Sequence, residues 1–224
     1  MDSTILDQFF TIAGPATADI REKASKFLAF AYPVRTEQEV SDCLEPLRKL
    51  HPKANHHCYA YRLGVDGNRY RANDDGEPSG TAGRPILGQI DSAGLTDVLV
   101  VVVRYFGGTK LGASGLIQTY KESAAAVLQL TQRLEKTIGL QYLLSFDYAQ
   151  MGTIMNALKR SGIEQIETHF GNTAAVTITL PRSLAPTLLN RFKSLAANLP
   201  LEMIENGAEV PGLTLEQLPE VVAF

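Results

Sequence analysis

The sequence predicts a protein of two domains that both combine helices with strands, which is the α+β class. Segments in which apolar and polar residues alternate are typical of strands, and segments with apolar residues at helical spacing lie between them. The last third of the chain has an element order of its own, which places a domain boundary near residues 134–138. With 224 residues, of which 45% are hydrophobic and 20% charged, the chain can bury a substantial core.

The N-terminal domain is predicted to span residues 1–135 and to begin with strands and a helix. Alternating apolar residues predict two antiparallel strands between residues 17 and 34, with a turn near residues 23–25. Thr36 and Glu39 have the spacing of a capping box, and the apolar residues that follow lie on one helical face. An amphipathic helix is therefore predicted over residues 36–50.

A hairpin, a buried strand and a long helix are predicted next. Residues 56–63 and 69–72 flank a glycine-containing loop and predict a β-hairpin, followed by a long polar, glycine-rich loop. Residues 98–103 are six apolar residues, five of them valine, as expected of a central strand covered on both faces. Helical spacing of apolar residues from 113 to about 134 predicts the long helix.

The last third has the order strand, helix, strand, strand, helix, strand. Alternation predicts strands at residues 138–146 and 176–180, two apolar stripes predict the helices, and residues 199–205 are expected to close the sheet. This is the order of the ferredoxin-like split βαβ pattern. We predict a ferredoxin-like βαββαβ domain at 136–207 and a loosely ordered acidic tail at 208–224.

Composition narrows the expected surroundings and partners. The N-terminal residues lack the features of a secretory signal, so a cytoplasmic protein is expected, and no apolar run reaches the about 18 residues of a membrane span. Two cysteines are too few for a disulfide framework or a four-thiolate zinc site. The net charge is −3, yet residues 51–121 carry eight Lys or Arg against six Asp or Glu, so the middle third is the basic part of the chain.

Residues 104–115 connect the buried strand to the long helix and contain four glycines. Glycines bring backbone N–H groups close to a ligand, and a helix start supplies partial positive charge suited to phosphate. The spacings of the Walker A and GxGxxG loops are absent, and a loop that needs glycine for packing alone is the plain alternative. The candidate anion-binding or nucleic-acid-binding residues here are Arg104, Gly107, Gly108, Thr109, Lys110, Gly112 and Ser114.

Residues 73–86 form a second candidate segment, in which three carboxylates lie within four residues: Asp74, Asp75 and Glu77. Carboxylates so placed could hold a hard cation or serve acid–base chemistry, although the EF-hand spacing is not met. The plainer interpretation is a set of Asx turns with a helix cap at Ser79 or Thr81.

Residues 55–61 contain two adjacent histidines and a cysteine on a predicted strand. Neighbouring strand residues point to opposite faces, so His56 and His57 cannot both ligate one metal without distortion. His56 shares a face with Cys58, but a strand thiol with no basic neighbour has no evident means of activation as a nucleophile.

The predicted hairpin also carries aromatic and basic residues that could contact RNA. Tyr59 and Tyr61 share one face of the first strand, and Arg69 and Arg71 lie on the second. Tyrosines can stack on bases while arginines contact phosphates, although strand aromatics more often belong to a core.

Three segments, residues 55–61, 74–83 and 104–112, closely resemble the signature of the IMPACT family. The resemblance covers roughly residues 15–130, and residues 138–205 resemble the C-terminal domain of bacterial members. It implies an N-terminal domain similar to the ribosomal-protein and elongation-factor domain IV fold, which often contacts RNA, and an association with regulation of translation. It implies no catalytic residue.

Together these observations favour a non-catalytic module that binds RNA or the ribosome. The expected groove is formed by the loop of residues 107–115 with Arg69, Arg71, Arg84, Arg104 and Lys110. One alternative is a metal-dependent hydrolase or phosphotransfer enzyme, and another is an adaptor for a protein partner. No cofactor or metal is predicted. The second candidate cluster comprises His56, His57, Asp74, Asp75, Glu77 and Ser79.

Overall fold

A computed structural model describes residues 8–164, 166–171 and 173–223. The chain divides into two units, one formed by residues 9–135 and the other by the described residues from 136 onwards together with Gln8. The first seven residues of the predicted N-terminal domain and the last residue of the predicted tail lie outside the described residues. Both units contain antiparallel sheets and helices, as the α+β class requires.

The N-terminal unit contains a sheet of five strands, β2 to β6, and three helices. After β1 (Gln8–Ile12), its elements are β2 (Ala16–Glu22), β3 (Ser25–Pro33), α1 (Glu37–Leu50), β4 (His56–Leu63), β5 (Arg69–Asn73), α2 (Gly83–Ser92), β6 (Val98–Tyr105) and α3 (Gly112–Gln129). The strands are antiparallel in the order β2-β3-β6-β4-β5. The all-apolar segment is thus at the centre, as predicted, and residues 98–103 are fully buried.

Each face of this sheet is covered by helix. On one face, α1 packs on Tyr59, Tyr61 and Leu63 of β4 and on alternate residues of β6. On the other, α2 and α3 pack on the remaining set, which includes Phe27 and Cys58. Thr36 caps α1 by accepting the N–H of Glu39 at 3.1 Å, which is one half of the predicted capping box. The carboxylate of Glu39 accepts the backbone N–H of Arg35 at 2.6 Å instead of that of Thr36.

The sequence-based prediction placed a long loop after residue 72 and offered a helix cap at Ser79 or Thr81, but it did not predict the helix α2 itself. The helix contains Gly83, Pro85 and Gly88, which favour loops and conceal the apolar spacing of Ile86 and Ile90. Both isoleucines are fully buried against the sheet. Gly83 is required by packing, since a Cβ there would lie 2.4 Å from the backbone nitrogen of Asn73.

The C-terminal unit contains the remaining elements. They are β7 (Arg133–Phe146, which begins in the first unit), a 3₁₀ turn (Tyr148–Gln150), α4 (Met151–Ser161), β8 (Ile166–Phe170), β9 (Ala174–Pro181), α5 (Ala185–Ala197), α6 (Leu201–Glu205), β10 (Leu213–Gln217) and β11 (Val221–Ala223). Its strands pair antiparallel in the order β10-β7-β9-β8, and β11 pairs farther along β7. Apolar residues of the strands, α4 and α5 share one core.

Two predictions in this unit were wrong. Residues 201–205 form α6 instead of a closing strand. The strand that takes the place of the predicted closing strand is β10, which comes from the predicted acidic tail. It pairs with β7, and its Leu213 lies opposite Phe146. Leu213 and Leu215 pack on the core while Thr214 and Glu216 are exposed, and the surrounding glutamates had concealed this alternation.

None of the helices among the described residues combines the length and the apolar character needed to cross a membrane.

Candidate functional site

Arg104 lies near the end of the central strand and sets the position of the candidate site. It is opposite Phe27 of β3 and His56 of β4, so it faces the side of the sheet covered by α2 and α3. The guanidinium is almost fully buried and lies between the rings of Phe27 and Phe106, with Cζ 5.3 and 5.6 Å from their centroids.

Glu77 neutralises this buried charge. Arg104 Nη1 donates to Glu77 Oε1 at 2.6 Å, and the hydroxyl of Tyr120 on α3 donates to the same oxygen at 2.8 Å. His56 Nε2 lies 3.8 Å away. Glu77 is 8% exposed, and a buried charge requires a partner and hydrogen bonds. Its carboxylate is therefore the internal counter-charge of Arg104.

Cys58 extends this network and remains a thiol. Its Sγ donates to the carbonyl oxygen of Asp74 at 3.0 Å and lies 3.3 Å from the hydroxyl of Tyr120. Burial raises the pKa of Cys58 far above its ordinary value, and the nearby Glu77 adds to the shift. The geometry therefore gives no support to a thiolate nucleophile, since only the ionised form is reactive.

The carboxylate of Asp74 holds the start of α2. Its oxygens accept the N–H groups of Gly80, Ala82 and Gly83 at 2.8, 3.0 and 2.8 Å. Desolvation alone would raise the pKa of Asp74, but these three donors outweigh it and lower the pKa below its ordinary value. The cap was predicted at Ser79 or Thr81, and this was wrong: Ser79 is exposed, and the hydroxyl of Thr81 donates to Pro78.

Asp75 faces the α1 side of the sheet. Its carboxylate accepts the backbone N–H of His57 at 2.6 Å and pairs with Arg48 of α1 at 3.2 Å, while Asn73 closes the predicted Asx turn. Burial lowers the pKa of His57, and the attraction of Asp75 opposes that shift only in part. His56 lies on the other face, as the strand alternation predicted.

The three carboxylates of residues 74–77 therefore have three separate structural partners. Asp74 binds the amides of α2, Asp75 binds β4 and α1, and Glu77 binds Arg104 and Tyr120. Within the described part of the chain, no three or more His, Cys, Asp or Glu side chains are grouped so as to hold a metal ion. The hypothesis that these carboxylates converge on one cation gains no support from their positions.

A cavity of about 440 Å³ opens beside Arg104. Its lining combines polar groups, apolar side chains and the start of α3: Asn55, His56, Glu77, Pro78, Arg104, Phe106, Lys110, Leu111, Gly112, Ala113 and Leu116. The structure thus brings Arg104, Lys110 and Gly112 of one predicted segment together with His56 and Glu77 of the others.

The glycines of residues 107–112 have different roles. Gly107 is a packing residue, because a Cβ there would lie 2.1 Å from the backbone carbon of Ala24 in the β2–β3 turn. Gly108 and Gly112 have φ values of 87° and 76°, which glycine adopts without strain, and a Cβ on either would meet open space. These two therefore shape the loop that leads into α3.

The other predicted basic residues do not belong to one groove. Arg71 of β5 lies opposite Tyr61, which is opposite Leu99 of β6, and Arg69 lies opposite Leu63. Tyr61 and Leu63 face α1, so both arginines are on the opposite face from Arg104.

Distance along the strands adds to this separation. Leu99 is five residues before Arg104 on β6, about 17 Å at roughly 3.4 Å per residue. The single groove predicted from sequence was therefore wrong. Arg84 is exposed in the first turn of α2, and Thr109 and Ser114 are exposed but do not line the cavity.

Tyr59 and Tyr61 are core residues in this fold. They are 8% and 4% exposed, and their rings stack on each other against α1. The hypothesis that they stack on RNA bases is contradicted by this burial, and the plain alternative of core tyrosines is correct.

Among the polar and aromatic residues of the site and its network, sequence reasoning did not single out Asn55, Phe106 and Tyr120. Asn55 Oδ1 accepts the backbone N–H of Phe106 at 2.8 Å and so fixes the position of that residue. Phe106 is 45% exposed, and an aromatic residue directly before two glycines was a signal that could have singled it out. Tyr120 had only the signal of a core residue, since its hydroxyl partner lies 43 residues away along the chain.

Comparison with known proteins agrees with the resemblance seen in the sequence. Residues 23–128 match the family model of the Impact N-terminal domain. The IMPACT family member YvyE of Bacillus subtilis is 38% identical over 166 residues, which cover 74% of this chain and 76% of that protein. An IMPACT family member of Thermus thermophilus is 38% identical over 157 residues, covering 70% of this chain and 84% of that protein.

The likeness extends to a solved structure and includes both units. A crystal structure of a hypothetical protein aligns with 94% of this chain and 97% of its own, at 28% identity and a TM-score of 0.64. The motifs of the N-terminal unit, the family model and the extent of identity with YvyE together show that the chain belongs to the IMPACT family.

Proposed function

We propose that the N-terminal unit binds RNA at the cavity beside Arg104 and thereby acts in the regulation of translation. The observation that carries this proposal is the start of α3 at the cavity wall. The helix begins at Gly112 with no side-chain cap from the described residues and no acidic residue in its first turn, and Lys110 lies two residues before it. A helix start of this kind attracts phosphate through its backbone N–H groups and its dipole.

The role in translation rests on family membership. The IMPACT family is associated with regulation of translation, and this chain matches it over most of its length. We therefore propose a cytoplasmic regulator whose partner is RNA, free or within the ribosome.

We also propose that both units have folds that occur in the translation machinery. The strand order β10-β7-β9-β8 with two helices on one core supports a ferredoxin-like C-terminal unit. The N-terminal sheet has two helices on one face and one on the other, and we propose that this unit is similar to the ribosomal-protein and elongation-factor domain IV fold. Folds of both kinds occur in the translation machinery, which is consistent with an RNA partner.

The charges around the cavity favour an anionic ligand once the internal ion pair is counted. Glu77 is compensated by Arg104 and has a 3% exposed side chain, so it presents little negative charge to a ligand. Lys110 is exposed and the helix start is uncapped. The metal-dependent enzyme is less well supported, since it requires carboxylates that this protein uses internally.

The proposal is tested by titrating the full chain with fluorescent mixed-sequence single-stranded RNA at several salt concentrations. Contacts with phosphate release counterions, so affinity should fall with salt at a slope of about −0.7 per contact in a plot of log K against log salt. Replacing Lys110 with Ala should weaken binding and reduce the magnitude of that slope by about 0.7.

Lys121→Ala is the matched control. Lys121 is exposed on the same helix but lies nine residues beyond Gly112, about 13 Å at roughly 1.5 Å per residue. It removes the same charge and should leave the affinity close to that of the parent protein. Binding that is absent, independent of salt or equally weakened by both substitutions would contradict the proposal.

A further inference from the structure

We propose that the cavity holds a single unpaired nucleotide of an RNA chain, with its phosphate at the start of α3 and its base against Phe106. This inference rests on the proposed function and specifies which feature of an RNA the site recognises.

The phosphate end is formed by Lys110, Gly112 and Ala113, which line the cavity together. α3 has 18 residues, so the partial charge of its first turn is that of a full helix. Gly112 and Ala113 present the uncapped first turn, and the ammonium group of Lys110 is exposed beside it. This end recognises the phosphate whatever the attached base.

A second and independent feature is the unpaired nitrogen of Arg104. Its Nη1 is bound to Glu77, but its Nε is buried and has no hydrogen-bond partner among the residues that the structure describes. Arg104 is 5% exposed, and it lines the cavity. Buried donors without an acceptor are rare in native proteins. Solvent does not reach Nε in this arrangement, so an acceptor oxygen or nitrogen of a ligand would pair with it after a small shift of the Arg104 side chain toward the cavity that it lines.

The base end is provided by Phe106. Its ring is 45% exposed, unlike the core aromatics, and it is held from behind by the guanidinium of Arg104 and through its backbone by Asn55. Pro78, Leu111 and Leu116 add apolar surface to the same lining. An exposed aromatic ring above a cavity that also binds phosphate is the arrangement that stacks unpaired bases, and it tolerates any base because each has a π-face.

A cavity of this volume accepts one small organic ligand, and a single nucleotide is a ligand of that class. Sites for small organic ligands enclose about 300–1,000 Å³, and this cavity of about 440 Å³ is near the lower limit. A base pair within a continuous duplex cannot stack on the ring of Phe106, because both of its faces are covered by neighbouring pairs. The site should therefore prefer bulged, looped or terminal nucleotides over a continuous duplex.

The test compares two RNA hairpins of equal length, one fully paired and one with a single bulged nucleotide that carries a fluorescent purine analogue. We expect the full chain to bind the bulged hairpin at least about tenfold more tightly, and the fluorescence of the analogue to be quenched by stacking. Phe106→Leu keeps an apolar side chain but removes the ring. It should therefore abolish the quenching and lower the preference for the bulged over the paired hairpin by about tenfold. Ile117→Ala, on an exposed residue of α3 that does not line the cavity, is the control and should change neither.

Each failure has its own meaning. Equal affinity for the two hairpins, or quenching that survives Phe106→Leu, overturns this inference while the proposed RNA binding stands. Absence of binding to either hairpin overturns the proposed function as well. If adenosine monophosphate competes as strongly as the bulged hairpin, the ligand is a free nucleotide and the assignment to an RNA chain is wrong.

Discussion

Removing the carboxylate of Glu77 should strongly destabilise the N-terminal unit. In Glu77→Ala, Arg104 keeps its buried position but loses the oxygen that Nη1 contacts at 2.6 Å. The hydroxyl of Tyr120, fully buried on α3, loses the same acceptor. Breaking a buried ion pair by removing one partner typically costs about 3–5 kcal/mol, because the remaining charge stays without compensation.

Urea unfolding followed by circular dichroism measures this effect. With a slope of about 2 kcal/mol per M, a loss of about 4 kcal/mol lowers the urea midpoint by roughly 2 M. Glu122→Ala removes an exposed carboxylate of α3 that accepts a hydrogen bond from Gln118, and it should shift the midpoint little.

A double variant separates the ion pair from general packing. Glu77→Leu with Arg104→Met replaces both charges by apolar groups, so it should be more stable than Glu77→Ala despite carrying two substitutions. A loss below about 1 kcal/mol in Glu77→Ala, or a double variant less stable than the single one, would refute the buried ion-pair reasoning.

Three further predictions follow from local contacts. Asp74→Ala leaves three amide donors without an acceptor and should lower the free energy of unfolding by about 3 kcal/mol. Glu45→Ala, at an exposed carboxylate, should leave it nearly unchanged. Because folding lowers the pKa of Asp74, its stabilising contribution is present above about pH 4 and is lost as the pH falls through the folded pKa. Gly107→Ala forces its Cβ into the β2–β3 turn and should cost about 1–3 kcal/mol, while Gly88→Ala, in a helix with open space, should raise the unfolding temperature. Folding lowers the pKa of His57, so the free energy of unfolding should fall as the pH drops through the unfolded pKa of about 6.5. His57→Gln should reduce that fall. Equal pH profiles of stability for the variant and the parent protein would contradict the burial argument.

The elements that could be predicted are those with a regular local pattern. The valine segment of β6 and the capping box of α1 are short-range signals, and both elements formed where the sequence indicated. The helix α2 was missed because its cap, Asp74, lies nine residues before Gly83 and acts through the folded loop. Such a contact has no sequence signature.

The site was only partly predictable for a related reason. Composition identified Arg104 and Lys110, but it also grouped them with Arg69 and Arg71, which the strand register places on the opposite face. Assigning a face requires knowing which residues oppose one another, and that depends on pairing between strands far apart in the chain. The partner of Arg104 was equally hidden, since Glu77 is separated from it by 27 residues.

The most direct test of the central claim is to map the RNA contact by NMR, titrating the isotope-labelled full chain with a short single-stranded RNA. We predict that the backbone amides of residues 106–115 shift with a common affinity. Those of β5, the edge strand whose Arg69 and Arg71 lie on the opposite face from Arg104, should remain nearly unchanged. Shifts confined to β5 and its neighbouring loop, with the start of α3 unaffected, would contradict the account and place the RNA on the face that carries Arg69 and Arg71.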